Sequence, residues 1–276
     1  MLQARLLPIS WLKTATSLHA SPLIGIFFCL AEPVLGQRGR RVLAVRNEQR
    51  EGFPMSQFRP KYITFDCYGT LTNYEMGSMG RQLFADRIAS EQMEAFLADF
   101  KAYRLDEVLG DWKPLHEVVR NSVERLCRKW SVEFREADAS KIYNSIPTWG
   151  PHPDVPEGLA KVAKEIPLVI LSNADNAQIH DNVAKLGAPF AHVFTAEDAQ
   201  AYKPRLQAFE YMFDQLGCSP EEAMHVSSSF RYDHMSACDL GYGARVFVAR
   251  GHEPSLPHYA THQIADIGGL AGVIGL

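Results

Sequence analysis

A single acid ends the apolar run in ITFDCYGTL: Ile63 to Phe65 lead to Asp66, and a glycine-containing turn follows at once. A buried strand that hands one carboxylate to a turn offers a nucleophile, because desolvation and fixed orientation make an otherwise weak carboxylate reactive. Three other stretches carry groups able to work with it. These are the Ser172–Asn173 pair in LSNAD, Lys203 in YKP, and Ser228 with Asp233 in HVSSSFRYD. Thr70, four residues after Asp66, adds a hydroxyl in the turn. Each has an ordinary reading as well: aspartates cap turns, and Ser-Asn pairs start helices. Asp66, Ser172, Asn173 and Ser228 share a placement at the ends of predicted strands, which is what singles them out.

The elements that would position them are legible from Met55 onward, where short apolar runs alternate with helical patterns. That alternation is the mark of a parallel sheet with crossover helices, an α/β chain. Candidate strands are YITFD (62–66), PLVILSN (167–173), HVFTAED (192–198), AMHVSSS (223–229) and RVFVAR (245–250). Ser219-Pro220-Glu221-Glu222 reads as a capping box opening a helix, and Gly187 and Gly217 stand where helices should stop. Residues 75–149 carry helical periodicity and no strand signal, an insertion after the first strand. The core domain is then 55–74 with 150–276, and the helical cap domain 75–149, hinged at Asn73–Gly77 and at TWGPHPDVPEG (148–158). Ligands of open parallel sheets bind outside the carboxyl ends of the strands, so the insertion would roof the site and exclude water.

One residue of the insertion points to the same place. Met93, Leu97 and Phe100 form a stripe of helical period, and Arg104, at roughly 100° per step, points within about 20° of Met93. A cation on an inward stripe needs an anion, or else snorkels from its edge.

Bulk properties set bounds. An apolar share of 46% over 276 residues supports a substantial core. Residues 1–54 hold seven Lys/Arg against three acids, a charge of +4, so the remainder of this −4 chain carries −8. That acidity gives no footing for nucleic acid. Five scattered cysteines without a C-x-x-C pair fit a reducing, cytoplasmic setting rather than a disulfide framework. His258 and His262 have a ligand-like spacing, but no acid lies between them and a proline precedes the first, so no metal pair is assigned. The run PLIGIFFCLA is too short to span a bilayer. Residues 1–54 read as an extension outside the fold, or else as a targeting segment.

FDCYGTL, LSNAD, YKP and HVSSSFRYD, in this order and at these strand ends, resemble the four motifs of the haloacid dehalogenase-like superfamily. The resemblance spans about residues 60–250 and implies a Rossmann-like parallel core with an inserted helical cap and an aspartate nucleophile, here Asp66. Phosphatases of the superfamily have a second acid two residues later and a magnesium-binding acid in motif four. This sequence has Tyr68 and Ser228 instead, and a hydroxyl does not replace an anionic ligand for a hard cation. Both changes resemble the L-2-haloacid dehalogenase branch, type II, which implies no metal and no cofactor. The implied reaction is attack of Asp66 on C2 of a short 2-haloalkanoic acid, L-2-haloacid or haloacetate, followed by hydrolysis of the aspartyl ester to a 2-hydroxy acid.

The resemblance also implies roles. Lys203 would balance Asp66, Asp233 would hold Lys203 or activate water, and Thr70 and Ser228 would bond the nucleophile. Ser172 and Asn173, with Tyr68, would receive the substrate, and Arg104 the departing halide. Two positions depart from the pattern: Phe209 and Phe230 stand where relatives carry Tyr and Asn. Trp112, Phe230 and Tyr232 join Tyr68 as candidate wall residues. The expected partner is a small halogenated carboxylic acid, with no nucleic acid and no membrane. A homodimer is usual in the branch, although no surface stripe marks an interface. Two rival readings stay open, a phosphatase or phosphonatase using Asp66 and a non-catalytic binding protein on the same fold.

Overall fold

The computed structural model describes residues 58–276, so the extension over 1–54 lies outside the described residues. Six strands form one parallel sheet in the order β3-β2-β1-β4-β5-β6: β1 (Tyr62–Phe65), β2 (Leu168–Ser172), β3 (His192–Thr195), β4 (Ala223–Ser227), β5 (Ala244–Val248) and β6 (His262–Ile264). β2 is buried along its whole length, which is why LVILS lacks the alternation of a half-exposed strand. The chain runs outward from β1 through β2 to β3, then returns to β4 on the other side of β1. The order therefore reverses between β1 and β4, and the crevice outside their carboxyl ends is the place where such sheets bind ligands.

Between β1 and β2 stand five helices: α1 (Met76–Phe84), α2 (Met93–Leu109), α3 (Leu115–Trp130) and α4 (Glu136–Ser145) in the insertion, and α5 (Val155–Val162) leading back into the sheet. α3 buries Leu115, Val118, Val119, Ser122, Val123 and Leu126, the i, i+3, i+4 spacing of a helix with one inward face. These faces close an apolar cluster around Phe84, Phe96, Phe100 and Ile142, which Ala196 and Tyr202 of the sheet domain join. The two connections to the sheet are hydrogen-bonded to each other: the Asn73 N–H donates to the Gly150 carbonyl at 2.9 Å, and the His152 N–H to that of Leu71 at 3.0 Å.

The structure differs from the sequence expectation in several elements. β3 stops at Thr195, whose hydroxyl accepts from the Asp198 N–H at 3.1 Å while the Asp198 carboxylate accepts from the Thr195 N–H at 3.1 Å. This reciprocal cap turns 196–199 into one helical turn, so the strand expected over 192–198 is half that. The box at Ser219–Glu222 encloses only a 3-10 turn that feeds β4. Gly217, with φ of 59°, caps the helix Leu206–Leu216, whereas the helix Asn176–Val183 ends at Ala184, before Gly187. On α2 the buried stripe is Met93, Phe96 and Phe100. Among the described residues no helix is long and apolar enough to cross a membrane.

Candidate active site

Asp66 leaves the end of β1 with its N–H donating to the Val226 carbonyl at 3.1 Å, which ties its backbone to β4. Gly69 then adopts φ of 95°, a conformation that a side chain would strain, and the N–H groups of Leu71 and Thr72 both close on the Cys67 carbonyl at 2.9 Å. This tight turn returns Thr70 to the acid: its hydroxyl donates to Asp66 Oδ2 at 2.7 Å. The same hydroxyl accepts the Ser228 N–H at 2.8 Å and lies 3.1 Å from the Ser228 hydroxyl. One threonine thus joins the ends of β1 and β4.

On the other oxygen, the Lys203 ammonium donates to Asp66 Oδ1 at 3.0 Å, and the same nitrogen reaches Asp233 Oδ1 at 2.7 Å. Asn173 holds the lysine backbone from both sides. Its amide NH₂ donates to the Lys203 carbonyl at 2.8 Å and its amide oxygen accepts the Lys203 N–H at 2.8 Å. Asp233 is fully buried and also accepts from Ser227 Oγ at 2.9 Å and His225 Nε2 at 3.0 Å. His225 in turn meets Thr64 Oγ1 through Nδ1 at 2.8 Å. The result is a buried line from Thr64 through His225, Asp233 and Lys203 to Asp66.

Charge is divided unevenly along that line. Burial works against the Asp233 carboxylate, but Lys203 and the His225 hydrogen bond outweigh it and hold its carboxyl well below the usual range. Burial pushes the Asp66 carboxyl up; Lys203 opposes the shift and the Asp233 charge adds to it. Burial also works against the Lys203 ammonium, and the two carboxylates override it, so the lysine stays charged. Asp233 is therefore the fixed counter-ion and Asp66 the more basic of the two acids.

Asp66 opens into a cavity of about 340 Å³ roofed by the insertion. Tyr68, Arg104, Ser172, Asn173, Lys203 and Ser228 all line it, so the site residues expected from the sequence converge there. Their availability differs. Ser172 Oγ is buried without a hydrogen-bond partner, as is Arg104 Nε. The Arg104 guanidinium sits 4.6 Å from the centre of the Phe100 ring and 5.1 Å from that of Tyr74, and donates to the Tyr74 hydroxyl at 2.5 Å. Arg104 forms no ion pair with an acid among the described residues, so a half-buried cation faces the cavity with its charge unmatched. Asn173, by contrast, is committed to Lys203. The Tyr68 hydroxyl donates away to Asn182 at 3.0 Å, leaving its ring as wall.

Phe209 and Phe230 do not line the cavity. Phe209 lies edge-on to His225 at 5.8 Å, and Phe230 packs on Phe247 at 4.4 Å. Trp112 is likewise absent from the wall, whereas Tyr232 belongs to it. Three contributors escaped the sequence reading. His225 sits inside a buried strand, and Tyr74 sits in a connection. Glu253, in the loop after β5, holds the turn after β4 by accepting from Ser229 Oγ at 2.9 Å and from the Phe230 N–H at 2.8 Å. Only the acid-after-histidine spacing of His225 and Asp233 left a trace of its role in the sequence.

The donor set does not suit a divalent cation. Where such an ion would need a second anionic oxygen beside Asp66 stands the Ser228 hydroxyl, and the Asp66 oxygen opposite Thr70 already faces an ammonium.

Comparison with known proteins agrees with the architecture. A haloacetate dehalogenase H-2 of a Moraxella strain is 28% identical over 138 residues, 49% of this chain and 61% of that protein, so this match leaves over a third of the relative uncovered. An (S)-2-haloacid dehalogenase 2 of a Pseudomonas strain is 22% identical over 65% of this chain and 80% of that protein. The L-2-haloacid dehalogenase of Xanthobacter autotrophicus, solved with chloropropionic acid covalently bound, superposes with a TM-score of 0.64 at 19% identity, covering 78% of this chain and 98% of that one. The model of the haloacid dehalogenase-like hydrolases matches residues 60–237, from the strand before Asp66 to just past Asp233, and on that match the chain belongs to this family of hydrolases.

Proposed function

We propose that this protein hydrolyses the carbon–halogen bond of 2-haloalkanoic acids through an ester on Asp66. The observation that carries the reading is the lack, among the described residues, of a free carboxylic acid beside Asp66 to protonate a leaving oxygen. Of the other two acids on the cavity wall, Asp233 is held as a carboxylate by Lys203, His225 and Ser227, and Glu253 is occupied as an acceptor. An alkoxide would leave poorly from such a site; a halide leaves as a stable anion and needs no proton.

The first step joins an Asp66 oxygen to C2 as the halide departs with the bonding pair. Thr70 and Lys203 aim the carboxylate, and its raised basicity makes it the better nucleophile once ionised. Arg104 receives negative charge over the cavity, and Ser172 Oγ offers a hydrogen bond to the substrate carboxylate. In the second step water adds to the Asp66 carbonyl carbon. The Lys203 ammonium, beside Oδ1, stabilises the oxyanion that forms. The 2-hydroxy acid then leaves with one proton of the water, and the second proton passes to solvent. Asp233 keeps Lys203 in place through both steps.

The test is halide release by the full chain in EDTA from the separate L and D forms of 2-chloropropionate, with Asp66→Asn alongside. Release from the L form, D-lactate as product and none from the variant is the expected result. A single turnover in ¹⁸O-water should place label in the peptide containing Asp66. Hydrolysis of phosphate esters that needs added magnesium, without halide release, would overturn the reading in favour of a phosphatase.

A further inference from the structure

The cavity is far larger than a haloacetate requires, and its two ends differ. Along α2 the residues facing it are Leu97, Lys101, Arg104 and Val108, spaced four, three and four apart, one face of a helix. At 1.5 Å per residue that face runs about 16 Å. Toward Leu97 the wall includes Gly77, Lys101, His252 and Glu253, and Lys101 Nζ reaches the His252 carbonyl at 3.4 Å. Toward Val108 it is aliphatic: Val108, Leu115, Val118 and Val119 all line the cavity, yet none is more than 7% exposed. A side chain that lines a cavity and is still almost inaccessible marks a closed inner end. The Leu115 N–H donates to Asp175 at 3.1 Å, which sets this end against the tip of β2, beside Ser172. Among the described residues, Ser172 Oγ is the one buried hydroxyl near it without a partner.

Such a pocket has nothing to offer a polar group beyond the serine, and it does reward hydrocarbon. A volume of about 340 Å³ falls in the range that accepts ligands much larger than 2-chloropropionate. We infer that the substrates of this protein are 2-haloacids with an extended hydrocarbon substituent on C2, seated in the aliphatic lobe between α2, α3 and the tip of β2. This rests on the reading of Asp66 chemistry above. Arg104 and Ser172 hold the charged head at the middle of the cavity, where Asp66 meets C2, and the chain of the substrate points inward, away from Lys101. Val118 and Val119 then set the length that is accepted.

The experiment is a series of L-2-chloroacids, from propionate through butyrate to hexanoate, with kcat/KM for halide release by the full chain. Binding of halogen-free propionate and hexanoate is measured in parallel by calorimetry. Each buried methylene is worth roughly fourfold, so hexanoate should exceed propionate by on the order of 50-fold in kcat/KM, with a matching rise in affinity for the halogen-free acid. Val118→Phe, checked for folding by circular dichroism, should collapse that ratio toward one. Chloropropionate turnover with a flat or falling series would overturn the lobe and leave the reaction standing. No halide from any member would overturn the reaction, and the calorimetric series would then still decide the lobe: equal binding of propionate and hexanoate refutes it.

Discussion

His225→Phe separates the buried line into its parts. Phenylalanine matches the ring and keeps its place among Phe209, Tyr242 and His234, whose rings lie 5.8, 5.4 and 6.2 Å away. What is lost is the donor to Asp233 Oδ1. Thr64 is not orphaned, because its hydroxyl also reaches the Met224 carbonyl at 3.2 Å. A hydrogen bond to a buried charge contributes about 2 kcal/mol, which for a chain of this size shifts the midpoint of thermal unfolding by roughly 4–8 °C. The sign with pH follows from Asp233. Its folded carboxyl is depressed, so the stability it contributes is present above the ordinary carboxylate value of about 4 and is lost as pH falls toward the folded value. The gap between parent and variant should therefore be full at neutral pH and narrow in acid. Because Asp233 Oδ1 also holds Lys203, about half of the loss should reach the transition state, a fall of roughly fivefold in kcat with KM little changed. His225→Gln, which can restore an N–H toward Asp233, should recover part of both. Thermal unfolding by circular dichroism and halide release well below both midpoints are the assays. An unmoved midpoint together with an unmoved kcat would refute the claim that His225 sustains the Asp233–Lys203 pair.

Other outcomes follow from the same contacts. Burial raises the Asp66 carboxyl, so the acid limb of the kcat/KM profile should fall at a pH above the ordinary aspartate value of about 3.9; a limb at or below it would show that the nucleophile is not the group being titrated. Arg104→Met keeps apolar bulk between Tyr74 and Phe100 and removes the unmatched charge. Affinity for the acid substrate should drop roughly 10- to 100-fold, with inhibition by product halide weakened, and unchanged saturation curves would count against Arg104 as the anion partner. Asp154 accepts from Arg250 at 2.7 and 2.8 Å and from the Ile267 N–H at 2.8 Å, while Arg250 also donates to the Thr70 carbonyl at 3.2 and 3.0 Å. Asp154→Ala leaves that largely buried guanidinium unpaired and should cost about 3 kcal/mol, read as a lower urea midpoint at constant slope.

The sequence made the floor of the site legible because strand ends, turns and parallel order obey simple rules. Asp66, Thr70, Lys203, Ser228 and Asp233 needed only the expectation that carboxyl ends converge, and they do converge. What it hid depends on side-chain direction. Phe209 and Phe230 sit at positions that read as part of the site, yet their rings turn into the sheet packing, which distance along the chain cannot reveal. Asn173 lines the cavity and also clamps the backbone of Lys203, a second duty that an amide's two functional atoms allow and the sequence does not display. On α2, Leu97 and Phe96 are both plausible inward residues; only the neighbouring helices decide that Phe96 fills the cluster and Leu97 faces the cavity. The segment at 192–198 opens with strand formers in Val193, Phe194 and Thr195, but Ala196, Glu197 and Asp198 are poor strand residues and the reciprocal cap of Thr195 and Asp198 prevails there. β6 has three residues and no apolar run, too little for any pattern.

The paired connections at Leu71–Asn73 and Gly150–His152 have a mechanical consequence. Bonded side by side, they make a single narrow neck, so the seating of the insertion over the sheet falls to bonds made further out: the Leu115 N–H and the Tyr143 hydroxyl donate to Asp175, and the Tyr202 hydroxyl donates to the Lys113 carbonyl. Arg104 and the aliphatic wall belong to the insertion, and Asp66, Lys203 and Ser172 to the sheet. Shelter from water and the facing cation therefore reach the nucleophile from one body, and a substitution that loosens the Asp175 contacts weakens both at once.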